Sequence, residues 1–184
     1  MVEIEVEGPD GLSPLGRVVA RDEIRQLAYR YAAAIDRRAI EELASLFAPD
    51  ADFGESGTGP AGAAALFGQS LREVGMAVLL VGNHLIDFDD PTHAHGQVWC
   101  RGYIDDHRDG FIEQMIQYRD RYVVVDGQWR FTGRRHLLWY GVATAESPLT
   151  QPDADWPRRQ VGRGSLPYRE PSWGAFWDDA GSAR

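Results

Sequence analysis
From Asp22 onward, Ile24, Leu27, Ala28, Tyr31, Ala32 and Ile35 recur at i, i+3, i+4, i+7, i+8 and i+11, the apolar stripe of an amphipathic helix, with Arg21, Arg25 and Arg37 left to water. A second helix is expected from Ile40 to Phe47, burying Leu43, Leu46 and Phe47. It stops before Pro49, because the residue preceding a proline is sterically biased away from helical geometry. The segment APDADF then starts a short strand. Gly59-Pro60 opens a third helix, with proline in a first-turn position where its missing N–H costs nothing; Ala63, Leu66, Phe67 and Leu71 share one side, and the helix ends near Gly75.

The pattern then changes to strand. MAVLLVGNHLIDF, QVWCRGYI and FIEQMIQYRDRYVVV are separated by a turn at Asp89-Asp90-Pro91 and a loop DDHRDG. QWRFTGRRHLLWY pairs back across Asp126-Gly127, a two-residue hairpin signal because both turn positions need positive φ. Helices ahead of a long antiparallel sheet predict an α+β domain, a cone-shaped half-barrel in which a curved sheet wraps the N-terminal helices. Residues 1–20 read as an extension: Val2, Ile4 and Val6 alternate as a short extended piece, and Pro9, Gly11, Pro14 and Gly16 make a loose lead-in. The cone domain is placed at 21–145. Residues 146–184 form a tail rich in proline and tryptophan whose aromatics need cover, expected on the same domain or on a neighbouring subunit.

The chain has 184 residues, enough for one domain with its own core and no staple. Nineteen Lys and Arg against 28 Asp and Glu give a net charge of −9, which argues against nucleic acid and anionic membranes as partners. The single cysteine, Cys100, cannot form an internal bridge. The acidic N-terminal segment lacks the basic and apolar regions of a secretory signal, and no apolar run approaches a membrane span, so a cytoplasmic location is expected.

EIRQLAYRYAAAIDRRAIEELASLFAPDADF, GNHLIDFDD and YRDRYVVVDGQWRFTGRRH together resemble the SnoaL-like branch of the nuclear-transport-factor-2-like superfamily, over about residues 20–140. That fold hosts dehydratases, isomerases, polyketide cyclases and non-catalytic subunits, so function rests on the site. The resemblance implies that Asp36, in AAAID, is a pocket acid/base or the group that orients a histidine. On the residues alone, Asp36 also suits a helix-end cap that bonds backbone amides. Tyr31 matches a catalytic tyrosine of the bile acid dehydratase of this group; it equally continues the stripe of Ile24 and Leu27 as a core residue with a bonded hydroxyl.

His84 is the best placed of the five histidines for proton transfer, since it stands on a strand expected to line the cone. Scytalone dehydratase and lindane dehydrochlorinase, both similar over this region, carry their histidine a few residues earlier, where this chain has Leu79 or Leu80. A one-residue shift reverses a strand's faces. Either a bulge brings His84 inward, or Asn83 faces inward in its place. Tyr118, Arg134 and His136 stand on the long strands as candidate substrate-binding groups, with Ile112, Gln114, Ile116, Tyr118, Tyr122 and Val124 on one face. Asp105, Asp106 and His107 fall in a solvated loop. His93-x-His95 with Asp89 or Asp90 lacks a third ligand at motif spacing, so no metal is expected.

Nothing in the sequence calls for a cofactor. The expected function is a cofactor-independent dehydratase, isomerase or cyclase acting on a small apolar ketone, steroid or polyketide through Asp36, His84 and Tyr31. The alternative is a non-catalytic ligand-binding or assembly domain, comparable to the small subunit of a ring-hydroxylating dioxygenase. Self-association as a dimer or trimer is expected in both cases, since the open sheet's outer face and the tail need covering.

Overall fold
The computed structural model describes residues 8–155, 157–158 and 161–181. The alternating residues Val2, Ile4 and Val6 lie outside them. The first helix, α1, runs Pro14–Arg37, eight residues earlier than the periodicity predicts. Ser13 caps it, its hydroxyl accepting the Gly16 N–H at 3.1 Å, and Pro14 fits the first turn. Leu15, Val18 and Val19 in these added turns are 66%, 64% and 49% exposed, so they carry none of the buried stripe that marks the rest of the helix. The boundary set at residue 20 therefore falls inside α1.

α1 ends at Arg38, which adopts the left-handed conformation (φ 59°) and caps the helix with its own N–H. α2 (Ile40–Ser45) turns back across it. The segment after Pro49 forms no strand: it makes a single bridge between Asp52 and Thr58 around a 3-10 turn at Gly54–Ser56. What ties this region down is β4, through Ala48 N–H to Phe131 O at 2.8 Å and Phe131 N–H to Leu46 O at 2.9 Å. α3 spans Gly59–Ser70, stopping short of Gly75.

Four strands follow, β1 (Val74–Asp90), β2 (His93–Asp106), β3 (Gly110–Val125) and β4 (Gln128–Ala143), in the spatial order β1-β2-β3-β4 and all antiparallel. At the β3–β4 hairpin Asp126 and Gly127 both have positive φ, 51° and 74°. The fold is α+β, a curved, unclosed sheet with the N-terminal helices against its concave face. Ile24, Leu27, Ala28, Tyr31 and Ile35 of α1 meet Val98, Cys100, Ile116, Tyr118, Tyr122 and Phe131 of the sheet in one core. Phe131 is fully buried; truncation to alanine would cost about 3–5 kcal/mol.

The tail packs α4 (Pro171–Gly181) against the C-terminal end of α1. Ser172 Oγ donates to Arg37 O at 2.7 Å, and the Trp173 ring lies 4.9 Å from the Arg38 guanidinium. Arg38 is buried, donating to Ile35 O and Gly75 O, so it joins α1, β1 and α4 at one point. No helix among the described residues is long and apolar enough to cross a membrane.

Candidate functional site
Pleating decides which strand residues face the helices, with a register shift between Arg121 and Tyr122 that lets Phe131 and Arg134, three apart on β4, share the inward face. On β3 these are Ile116, Tyr118, Asp120 and Tyr122, opposite Cys100, Val98, Gly96 and Ala94 of β2 and followed by His136, Arg134 and Phe131 of β4. On β1 the alternation is interrupted. Val81 pairs with Cys100 and His84 with Val98, so three steps on β1 match two on β2. That one-residue bulge at Gly82-Asn83 puts His84 on the concave face, in line with Val81 and Ile86, and leaves Asn83 exposed in the bulge itself.

Inside the cone His84 heads a chain of polar groups. Its Nε2 lies 3.0 Å from Tyr122 Oη, and Tyr122 Oη donates to Asp120 Oδ2 at 2.9 Å. Asp120 in turn accepts Arg134 Nε on Oδ1 at 2.9 Å and Arg134 Nη2 on Oδ2 at 2.6 Å, with the two side chains only 0% and 5% exposed. The guanidinium carbon sits 4.3–4.4 Å from the ring centres of Tyr31, Tyr118 and Phe131. Burial by itself would favour neutral Arg134, but the Asp120 charge and hydrogen bonds more than offset it, and its pKa is raised. Because the Tyr122 proton is given to Asp120, His84 must donate from Nε2, which leaves Nδ1 as a buried lone pair with no partner among the described residues.

Of these groups Arg134 reaches a cavity of about 360 Å³. Its lining combines Tyr31, Asp52, Tyr118, Arg134 and His136 with Gly133 and the apolar Phe47, Phe53, Leu66 and Phe67. Burial pushes the Tyr31 phenol up to about 12, against the lowering pull of Arg134, and raises Tyr118 well above the ordinary phenol value, so both stay protonated at neutral pH. His136 lies 5.4 Å from the Tyr118 ring, centre to centre. Partial burial and then the Arg134 charge lower its pKa, so it is a neutral imidazole at pH 7.

Asp36 stands apart. Its Oδ1 accepts the Leu79 N–H of edge strand β1 at 3.0 Å, and burial raises its pKa to about 6, opposed by that hydrogen bond, Arg38 and Arg37. His84 lies five residues further along β1, roughly 15 Å at ordinary strand rise. The two do not form a pair; the residue beside Asp36 is Leu79. Cys100 is buried and its thiol is pushed up to about 11 by that burial, so it is a protonated thiol at neutral pH. His93 and His95 contact Asp90 and Asp89 at 2.9 and 3.1 Å on the exposed turn. Among the described residues no group of three or more His, Cys, Asp or Glu side chains is arranged to hold a metal. Sequence reasoning passed over Asp120, although its period-two spacing from Tyr118 and Tyr122 placed a carboxylate on the inward face.

Solved structures share this architecture. A hexachlorocyclohexane dehydrochlorinase (LinA) type 2 is 22% identical, over 73% of this chain and 95% of its own, with a TM-score of 0.66. A LinA type 3 from Novosphingobium barchaimii LL02 is 22% identical over 73% and 97%, with a TM-score of 0.67. A Novosphingobium aromaticivorans protein provisionally assigned as a scytalone dehydratase is 22% identical over 72% and 92%, with a TM-score of 0.61. At these identities the likeness is one of fold. No curated protein matches the chain. The SnoaL-like domain matches residues 16–135, about two-thirds of the sequence, and the chain therefore belongs to the SnoaL-like branch of the nuclear-transport-factor-2-like superfamily.

Proposed function
We propose that the chain is a cofactor-independent acid/base enzyme, a dehydratase, isomerase or cyclase, acting on a small, largely apolar ketone of the steroid or polyketide kind. The observation that carries this reading is the 360 Å³ cavity, lined by two protonated phenols, a neutral imidazole, Arg134 and Asp52 among four apolar side chains. Removing a proton beside a carbonyl needs a base near neutrality and a donor to the developing enolate oxygen. His136 is the base of this cavity, and Tyr31 and Tyr118 are the donors. Arg134, locked to Asp120, supplies a fixed positive field beneath them and does not titrate. His84 anchors the far end of that lock through Tyr122.

Asp36 is the competing base, since its pKa of about 6 suits the task and the family resemblance points to it. The test is exchange of α-protons for deuterium in a panel of cyclic and steroid ketones, followed by NMR in D₂O, which requires no knowledge of the natural product. Catalysed exchange that His136→Gln and Tyr31→Phe abolish supports the reading. Loss on Asp36→Asn with His136→Gln active moves the base to Asp36, and no exchange with any ketone overturns the enzyme. A non-catalytic assembly role is the second reading, favoured by one observation: the residue facing Asp36 is Leu79, so no imidazole is paired with it.

A further inference from the structure
The convex face of the sheet carries a groove of about 800 Å³, on the side opposite the cavity, lined by the exposed side chains of His93, His95, Gln97, Arg119, Arg121 and Arg135, with Asp89 and Thr132 at its margins. Register places its cations side by side. Arg119 is directly opposite Arg135 across β3–β4 and opposite Gln97 across β2–β3, and Arg121 is opposite His95 and Gly133. Directly opposed residues have Cβ atoms about 4.5–5.5 Å apart, so the Arg119–Arg135 pair is a like-charge contact that destabilises the sheet unless something neutralises it. No carboxylate does so: among the described residues none of the three guanidinium groups takes part in an ion pair.

Of the acids nearby, all but Asp87 are already committed. Asp89 and Asp90 hold His95 and His93. Asp120, between Arg119 and Arg121 in sequence, points to the other face and is gripped by Arg134. Asp87 of β1 stands opposite His95, which separates it from Arg121 by one strand, and it makes no ion pair with the arginines among the described residues. Across Gly133 the space in front of Arg121 is open, since a Cβ there would meet nothing within 4 Å. In a chain of net charge −9, three guanidinium groups without an ion-pair partner among the described residues thus line one groove of the convex face.

We propose that this groove binds the phosphoryl group of a small molecule. A guanidinium fork matches two oxygens of an oxyanion, and a single carboxylate saturates one fork, leaving two positive charges facing each other. A tetrahedral dianion presents three terminal oxygens, enough for all three arginines, with Gln97 and Thr132 as additional donors at the rim. The overall negative charge disfavours a long polyanion, which would extend past the arginines onto Asp87 and Asp89, so the ligand is compact.

Isothermal titration of the full chain with inorganic phosphate, pyrophosphate and succinate at low salt tests this. Saturable phosphate binding is expected, tighter for pyrophosphate, weakened at least about tenfold by Arg119→Gln and by Arg135→Gln, and weakened by added salt. Arg121→Lys, which keeps the charge and loses the fork, should fall between the wild type and Arg121→Gln. Circular dichroism confirms that the variants fold, and shifts of the arginine Nε–H NMR signals on phosphate addition report binding independently of heat. No binding of either phosphate, binding indifferent to all three arginines, or succinate binding more tightly than phosphate would each overturn the proposal. None of these outcomes bears on the cavity, which lies on the other face.

Discussion

Asp120 holds Arg134 by two parallel hydrogen bonds, Oδ1 to Nε and Oδ2 to Nη2, and on the same Oδ2 accepts the Tyr122 hydroxyl. One carboxylate thus fixes a charge under the cavity and, through Tyr122, a histidine on a strand two places away in the sheet. An ion pair this deep is a poor source of net stability, because desolvating both charges offsets most of their attraction, but it is costly to break from one side. Its contribution is to hold the guanidinium in one place against three aromatic rings.

Removing either partner alone should therefore destabilise the protein by about 3–5 kcal/mol in urea unfolding, since the survivor is a buried charge without compensation. Arg134→Met and Asp120→Leu are both expected in that range. The double variant should recover most of the loss, as two apolar side chains can pack where the pair stood. Additive losses in the double variant would show that the two residues act independently.

The hydrogen-bond order also fixes a tautomer. Tyr122 gives its only proton to Asp120, so His84 carries its proton on Nε2, and long-range ¹H–¹⁵N spectra at pH 7 should show the Nε2–H form. Tyr122→Phe should release that constraint and leave Asp120 and His84 each short of a partner, at a cost of about 1–3 kcal/mol. A Nδ1–H signal in the wild type would mean that the chain of bonds runs differently.

Much of this arrangement was legible in the sequence. Period-two alternation set Tyr118 and Tyr122 on one face with Ile112 and Ile116, and the Asp126-Gly127 signal fixed the β3–β4 hairpin; the register shift between Arg121 and Tyr122 that brings Arg134 rather than Gly133 opposite Asp120 was not legible. What was not legible follows from cancellation of local signals. The first turns of α1 expose Leu15, Val18 and Val19, so no stripe announces them, and the helix starts there because Ser13 and Pro14 cap it. The bulge at Gly82-Asn83 is a property of the β1–β2 pairing, and a single strand's pattern cannot say whether His84 or Asn83 turns inward. The Asp36–His84 pair could be imagined only while the point at which Asp36 meets β1, the Leu79 N–H, was unknown.

Asp36 and His84 should pull stability in opposite directions with pH. Burial raises the Asp36 pKa from 3.8 to about 6, so between those values the folded state holds a proton that the unfolded state lacks, and stability falls as pH rises. Burial lowers the His84 pKa from 6.5 to about 4, so there the unfolded state holds the extra proton and stability rises with pH. Each effect is at most about 3 kcal/mol, and they nearly cancel from pH 4 to 6. Asp36→Asn should therefore gain thermal stability steeply over that range, and His84→Gln should lose it. Parallel melting profiles for the two variants would show that neither group is desolvated as the fold implies.

The bulge makes an unusual prediction about deletions. Removing Asn83 leaves Val81 inward, Gly82 outward and His84 inward, so both halves of β1 keep their faces and only the local kink is lost. That deletion should cost under about 2 kcal/mol and retain the Nε2–H signal of His84, because core burial is unchanged. Deleting Leu85, two residues on, reverses the remainder of the strand and turns Ile86 and Phe88 away from the core, at about 1.5–3 kcal/mol for each side chain lost. Thermal melts of the two deletions decide the matter. If the Asn83 deletion is as damaging as the Leu85 deletion, the extra residue is not what sets the direction of His84, and the inward imidazole has another cause.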